Sequence, residues 1–206
     1  MSADSRKSML RRQPQLAKLT QPRLYGAVAR ERLFELLDEA RERAVIWVCG
    51  PPGAGKTTLV ASYLEHTASP AVWYQIDAAD GDPATLFYYL ARAVTTLAFS
   101  RAKPLPLFTP EYLADLEGFS RRFFRGAFAS LPPGSLLVFD NYHEVAEESS
   151  LHRGLNAGFA EVPQSANVMV ISRTPPPAVF ARLQVADMLA MVAGKRCACP
   201  RKKLPR

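Results

Sequence analysis

The chain has 206 residues and a mass of 22.7 kDa, enough for one domain with a full hydrophobic core. Hydrophobic residues make up 48% and charged residues 22%, which excludes a disordered or fibrous chain. No apolar stretch reaches the roughly 18 residues that cross a bilayer, and the basic N-terminus is followed by no apolar run. The three cysteines form no disulfide framework. We therefore expect a protein of the cytoplasm with no membrane segment.

The net charge of +7 is concentrated at the two ends of the chain. Residues 194–206 contain six lysines and arginines and no acid, and residues 1–12 contain four against one acid. Because a basic charge indicates nucleic-acid binding only when it lies on a folded face, no specific DNA binding is expected. We interpret 1–15 as a basic disordered N-terminus, 16–193 as the folded core and 194–206 as a basic unstructured tail.

Helical and strand patterns alternate along the core. Hydrophobic residues recur at helical spacing in some segments, and short apolar runs typical of buried strands lie between them. Helices are predicted over 30–43, over 56–66, from 83, from 110 and over 150–161, and strands over 44–49, 71–76, 136–139, 168–171 and 187–192. This alternation predicts an α/β fold, a three-layer α/β/α sandwich around a mainly parallel sheet of about five strands.

Two of these helices contain residues that indicate where a helix begins or is interrupted. Thr109-Pro110-Glu111 is a favourable helix start, and Leu113 then falls on the apolar side of that helix. The segment 150–161 is a weaker helix because Gly154 and Gly158 interrupt it. Trp73 and the phenylalanines between 119 and 128 are interpreted as core residues.

A phosphate-binding motif follows the first predicted strand. The segment GPPGAGKT at 50–57 fits G-x-x-x-x-G-K-[ST] at every fixed position, between a buried strand and an amphipathic helix. Its glycines allow the backbone N–H groups to turn inward, and the helix N-terminus adds partial positive charge. The candidate nucleotide-binding residues are Gly50, Pro51, Pro52, Gly53, Ala54, Gly55, Lys56, Thr57 and Thr58.

Individual side chains of this motif have predicted roles. Lys56 is expected to reach the β- and γ-phosphates, and the Thr57 hydroxyl to ligate Mg²⁺. Thr58 adds a hydroxyl or an N–H towards the α-phosphate. Asp140 follows four apolar residues at the end of a predicted strand, and it supplies the acid that such a site needs beside the metal. Thr57 and Asp140 are therefore the candidate Mg²⁺ ligands, with a simple strand-end turn as the alternative for Asp140.

Together these segments resemble the nucleotide-binding domain of STAND-class P-loop NTPases, which are AAA-like, and in particular MalT-like, large LuxR-type bacterial transcriptional regulators. The resemblance covers residues 16 to 192 and rests on motifs beyond the phosphate loop. These are Lys18–Leu24 with Val28–Leu33, Trp73–Asp77 with Asp82-Pro83, Val138–His143 and Val170–Arg173. His143 without this resemblance is an ordinary loop histidine.

The resemblance implies further site residues and a function. Arg173 faces the γ-phosphate in such domains, and Arg23 and Arg30 lie near the adenine; a solvated surface arginine is the alternative for each. In these regulators ATP or ADP occupancy switches the protein between resting and self-associating forms, and hydrolysis is slow.

One departure from the family bears on hydrolysis. Asn141 stands where many relatives carry a second acid, and a neutral amide can orient water but cannot accept its proton. Glu144 is a possible substitute. The candidate catalytic residues are Lys56, Asp140, Asn141 and Arg173, and we expect Mg-ATP or Mg-ADP binding with slow or absent hydrolysis.

The second departure is the end of the chain. Relatives continue into a helical lid, a winged-helix domain, sensor repeats and a helix-turn-helix module, whereas here the basic residues 194–206 follow. We interpret that tail as the product of a truncation or frameshift. Two alternative functions remain: a free-standing P-loop small-molecule or nucleotide kinase, which an Arg-rich lid would indicate, and an inactive truncated fragment.

Overall fold

The computed structural model describes residues 16–24, 31–98 and 104–193, so both predicted tails and Arg30 lie outside the described residues. None of the helices in these ranges is long and apolar enough to cross a membrane. The helices are α1 Glu31–Ala40, α2 Lys56–Thr67, α3 Pro83–Ala98, α4 Leu116–Ser130, α5 Leu151–Phe159 and α6 Ala181–Val185. The strands are β1 Val45–Cys49, β2 Ala71–Gln75, β3 Ser135–Asp140, β4 Ala166–Ser172 and β5 Leu189–Ala193.

The five strands form one sheet in the order β2-β3-β4-β1-β5, and every neighbouring pair is parallel. The strand β4 therefore lies between β1 and β3. Cys49 at the end of β1 is opposite Ser172 on β4, and Gln75 on β2 is opposite Asp140 on β3. Because the carboxyl ends of parallel strands meet at one edge, the segments that follow β1, β3 and β4 are neighbours there.

Helices cover both faces of the sheet. Alternate side chains of β1 point to opposite faces: Trp47 and Cys49 join the core beneath α3, α4 and α5, while Ile46 and Val48 join the core beneath α1 and α2. All residues of β1, β3 and β4 are buried, which is why these strands are continuous apolar runs rather than alternating ones. The predicted three-layer α/β/α sandwich is confirmed.

The helix α5 is continuous through the two glycines that were expected to interrupt it. Its glycines serve close packing, since a Cβ at Gly158 would overlap the ring of Phe124 on α4. A Cβ at Gly154 would lie 3.0 Å from the Cγ atom of Leu116. The absence of side chains at these two positions lets the helices approach each other, and the packing offsets the low helix propensity of glycine.

The helix predicted to begin at Pro110 begins later. Residues Pro110–Asp115 form a 3₁₀ helix, and α4 starts at Leu116, where Asp115 accepts a hydrogen bond of 2.9 Å from the N–H of Gly118. Leu113 lies on the 3₁₀ segment and is 60% exposed, so its assignment to the apolar side was wrong. Trp73 and the phenylalanines of α4 are buried, as expected.

Candidate functional site

The loop 50–55 joins β1 to α2 and turns through two glycines with positive φ. Gly53 has φ of +74° and Gly55 of +76°, values that a residue with a side chain rarely adopts. The N–H of Ala54 donates to the Pro51 carbonyl over 3.2 Å, and the N–H of Gly50 donates to the Ser172 carbonyl over 3.4 Å. The motif thus closes on itself and is joined to the end of β4.

The Lys56 side chain lies back over this loop. Its Nζ donates to the carbonyl oxygens of Gly50 at 2.7 Å and of Pro51 at 3.0 Å. The N–H groups of the first turn of α2 have no helical acceptor, and the helix dipole adds partial positive charge at the same place. Thr58 is exposed on that turn. An ammonium group beside helix N–H groups that have no helical acceptor is an arrangement suited to an anion.

The Asp140 carboxylate ends β3 beside the first turn of α2. Its Oδ1 accepts a hydrogen bond from the Thr57 hydroxyl at 3.1 Å and another from the Asn141 N–H at 2.9 Å. Asp140 is only 3% exposed, and burial raises its pKa, although both hydrogen bonds and the charge of Lys56 act in the opposite direction. A carboxylate and a hydroxyl oxygen in contact are ligands that Mg²⁺ prefers, and a buried carboxylate favours a nearby cation, so these residues fit the metal.

The turn after β3 holds four consecutive residues with polar groups, 141–144. Asn141 has φ of +59°, a left-handed conformation that asparagine tolerates, and this directs its N–H back to Asp140. Residues Tyr142–Glu144 then form a 3₁₀ turn. The Tyr142 hydroxyl is 2.8 Å from Nδ1 of His152, whose Nε2 is 2.9 Å from the Ala146 carbonyl. These contacts attach the turn to α5.

His143 lies in this turn with its ring nearly buried. Burial lowers the pKa of His143, and the positive charges of Arg173 and Lys56 lower it further, while Glu144 raises it. Glu144, the possible substitute for a second acid, has a 45% exposed side chain and its Oε1 lies 3.4 Å from Nε2 of His143. Burial and the two positive charges therefore disfavour the charged form of this imidazole.

Arg173 follows the last residue of β4 and is exposed. The backbone around it is attached to β1: Trp47 Nε1 donates to the Thr174 carbonyl at 3.0 Å, and Cys49 Sγ to the Arg173 carbonyl at 3.7 Å. Sequence reasoning missed Trp47, because a tryptophan within an apolar strand is typical of a core residue. Its link to Thr174 depends on the adjacency of β1 and β4.

The leading segment 16–24 packs on α2 and on the turn after β2. Gln21 Nε2 donates to the Ala61 carbonyl of α2 at 3.1 Å, and Lys18 Nζ lies 2.9 Å from both Asp80 and Asp77. Arg23 is exposed, and its guanidinium has no hydrogen bond or ion pair with the described residues. The structure thus brings Lys56, Thr57, Asp140, Asn141 and Arg173 to one edge of the sheet, and Arg23 lies on the segment that contacts the helix after the loop.

The parallel sheet, the glycine loop leading into α2 and the buried acid at the end of β3 define a P-loop NTPase domain. A family model described as AAA domain matches residues 38–162, which is more than half of the chain. The chain belongs to this family.

Curated relatives with similar sequences are transcriptional regulators. The HTH-type transcriptional regulator MalT of Vibrio cholerae is 30% identical over 185 residues, covering 87% of this chain and 20% of the relative. MalT of Yersinia enterocolitica is 29% identical over 178 residues, covering 84% and 19%. The chain thus spans about a fifth of their length, and the resemblance to MalT-like regulators is confirmed for that part.

Solved structures with a similar fold are more distant. A Walker-type ATPase of Pyrococcus abyssi aligns with 80% of this chain and 53% of its own, at 12% identity and a TM-score of 0.46. A DNA replication initiation factor aligns with 85% of this chain and 49% of its own, at 14% identity and a TM-score of 0.42.

Proposed function

We propose that residues 16–193 form a nucleotide switch domain that binds Mg-ATP or Mg-ADP and hydrolyses ATP slowly or not at all. The observation that carries this proposal is the 3.1 Å hydrogen bond from Thr57 to the buried Asp140. It joins the first turn after the phosphate loop to the acid of another strand, so an anion site and a cation site are adjacent.

Each part of this edge has a task in nucleotide binding. Lys56 exchanges its contacts with the loop carbonyls for phosphate oxygens, and the N–H groups of the loop and of α2 hold the remaining phosphate charge. Thr57 and Asp140 hold Mg²⁺, which when bound neutralises charge on the phosphate oxygens. Arg173, on the neighbouring strand end, supplies a further positive charge towards the terminal phosphate.

Slow hydrolysis is supported by the residues after Asp140. Asn141 cannot accept a proton, and its own N–H is bonded to Asp140. Glu144 is largely exposed and lies beside His143. With no carboxylate placed as general base next to Asp140 in the described turn, binding without rapid turnover is the expected behaviour, and it suits a switch.

The similarity to MalT supports the wider assignment. We infer that the domain works as the nucleotide-dependent part of a LuxR/MalT-type transcriptional regulator in the cytoplasm, and that bound nucleotide controls self-association. We assign no specific DNA contacts to residues 16–193, because their net charge is slightly negative.

The test is thermal unfolding with Mg-ATP, with Mg-ADP and without nucleotide. A ligand that binds only the folded state stabilises it by about 2.7 kcal/mol at a hundredfold excess over its Kd, so the midpoint rises. Lys56→Ala should abolish the rise, whereas Arg153→Ala, which removes an exposed cation of α5, should retain it. A cooperative transition that neither nucleotide moves contradicts the proposal, and phosphate transfer to a small acceptor would favour the kinase.

A further inference from the structure

Both ring nitrogens of His143 are buried without a hydrogen-bond partner. In the described ranges, four buried side-chain polar atoms lack such a partner, and two of them are Nδ1 and Nε2 of this one imidazole. Its side chain is 12% exposed, and the Glu144 oxygen at 3.4 Å from Nε2 is outside hydrogen-bonding geometry. A buried unpaired donor costs about 1–3 kcal/mol, so the structure maintains an unfavourable arrangement here.

The other two histidines of the chain do not share this arrangement. His152 is also buried, but both of its ring nitrogens have partners, Tyr142 at 2.8 Å and the Ala146 carbonyl at 2.9 Å. His66 is exposed near the end of α2, where its ring lies 5.1 Å from that of Phe34. The unpaired ring is therefore specific to the turn that follows Asp140.

Hydrogen bonds fix the main chain around His143. The N–H of Glu144 donates to the Asn141 carbonyl at 2.9 Å, and the N–H of Val145 donates to the Tyr142 carbonyl at 3.1 Å. Tyr142 itself is buried, and its ring packs 4.9 Å from that of Trp47. The main chain on both sides of His143 is therefore fixed by hydrogen bonds, so the position of its Cα atom beside the site is defined.

The surrounding charges indicate what the ring can bind. Arg173 and Lys56 are the cations whose charges act on the ring, and both are expected to face the terminal phosphate. A neutral imidazole carries one N–H donor, and an oxygen of a phosphate held between two cations is a strong acceptor. ADP has no phosphate at that place and would leave the donor unpaired.

We propose that His143 donates a ring N–H to the terminal phosphate of ATP and so makes the site prefer ATP over ADP. This inference rests on the proposed nucleotide site and adds the residue that distinguishes its two ligands. His143 is a specificity residue here, because a site that pairs a buried donor with one ligand rejects the ligand that lacks the acceptor.

The test compares the affinities for ADP and for a non-hydrolysable ATP analogue with Mg²⁺, measured by calorimetry. His143→Phe keeps an aromatic ring, of somewhat larger size, and removes both nitrogens; His143→Gln retains a donor, and His66→Phe is the matched control. We expect His143→Phe to weaken the binding of the ATP analogue about tenfold, which is about 1.4 kcal/mol. The affinity for ADP should stay within about twofold of the wild-type value. His143→Gln should recover part of the loss, and His66→Phe should behave like the wild type.

A second measurement uses only the wild-type protein and so does not depend on whether a variant folds. Histidine ring nitrogen resonances of the wild-type protein, with only three histidines to assign, should shift for His143 on adding the analogue but not on adding ADP. An equal loss for both ligands, or no change in either experiment, overturns the inference while the proposed function stands. A wild-type protein that binds neither nucleotide overturns both.

Discussion

The indole nitrogen of Trp47 donates a hydrogen bond to the carbonyl oxygen of Thr174 over 3.0 Å. The same ring lies 4.9 Å from that of Tyr142 and 5.4 Å from that of Phe180. A single buried residue on the strand before the phosphate loop therefore contacts the turn that follows Asp140 and the turn that follows β4. The two turns that carry the polar groups of the site are held against the strand that leads into the loop.

The first prediction concerns Trp47→Phe. The substitution leaves the Thr174 carbonyl without its donor and removes ring volume, so we expect a loss of about 1–3 kcal/mol in the free energy of unfolding. Nucleotide affinity should fall as well, because the turn bearing Arg173 loses its attachment. Urea unfolding and nucleotide titration measure the two effects. The control is Trp73→Phe, since Trp73 is buried on the opposite face of the sheet; equal effects of both variants on affinity would contradict a positioning role for Trp47.

The second prediction concerns Asp140→Asn. The amide can still accept from Thr57 and from the Asn141 N–H, and it removes a buried charge, so the nucleotide-free protein should be at least as stable as the wild type. The dependence of nucleotide affinity on Mg²⁺ should largely disappear, because the amide oxygen that remains carries no negative charge to hold the cation. Titrations with Mg²⁺ and with a chelator measure this. Asp187→Asn, which alters an exposed pair with Arg43, is the control, and a variant at 140 that still needs Mg²⁺ would refute the metal assignment.

The third prediction concerns the contact between α4 and α5. A Cβ at Gly158 overlaps the Phe124 ring, whereas a Cβ at Gly81 meets nothing within 4 Å. We expect Gly158→Ala to lower the free energy of unfolding by about 1–3 kcal/mol, and Gly81→Ala to change it by less than about 0.5 kcal/mol. Combining Gly158→Ala with Phe124→Leu should restore part of the loss. Chemical denaturation tests all three variants. If the free energy of unfolding of Gly158→Ala equalled that of the wild type, α4 and α5 could move apart without loss of stability, and the prediction would be wrong.

The fourth prediction concerns pH. Burial lowers the pKa of His152, although the Ala146 carbonyl and Glu147 oppose this, and burial lowers the pKa of His143 too. In the unfolded chain these two histidines therefore bind protons near pH 6.5, whereas in the folded chain they bind protons only at lower pH. This contribution to stability is complete above that pH and is lost as the pH falls towards the folded-state values, with a slope of at most about 1.4 kcal/mol per pH unit for each histidine.

Unfolding free energies between pH 8 and pH 5 test this slope. His152→Gln should reduce the slope but not abolish it, because His143 remains. The exposed His66→Gln is the control for loss of a histidine at another place. Identical slopes for His152→Gln and the wild type would mean that the unfolded chain gains no extra proton at His152.

The parts of the fold that sequence reasoning predicted correctly depend on short segments. The run Val45–Cys49, the glycine loop and the start of α2 at Lys56 follow from local pattern and motif. The start of α4 was misplaced because Thr109-Pro110 is a good local signal, while the cap that the structure uses is Asp115. The glycines of α5 were interpreted as interruptions because the helix α4 that they accommodate is not visible in the sequence around them.

The amino-acid sequence by itself determined the class of fold and the phosphate loop, since alternating apolar runs and a fixed spacing of glycine, lysine and threonine are local properties. The roles of Arg23, Arg30 and Arg173 at a nucleotide, and the domain limits at 16 and 193, stay predictions. Only the tertiary structure decided that β4 lies between β1 and β3, which brings Thr174 to Trp47 and lets the positive charge of Arg173 lower the pKa of His143. Strand order depends on long-range pairing and on the packing of helices against both faces of the sheet. The residues of any one strand determine neither of these.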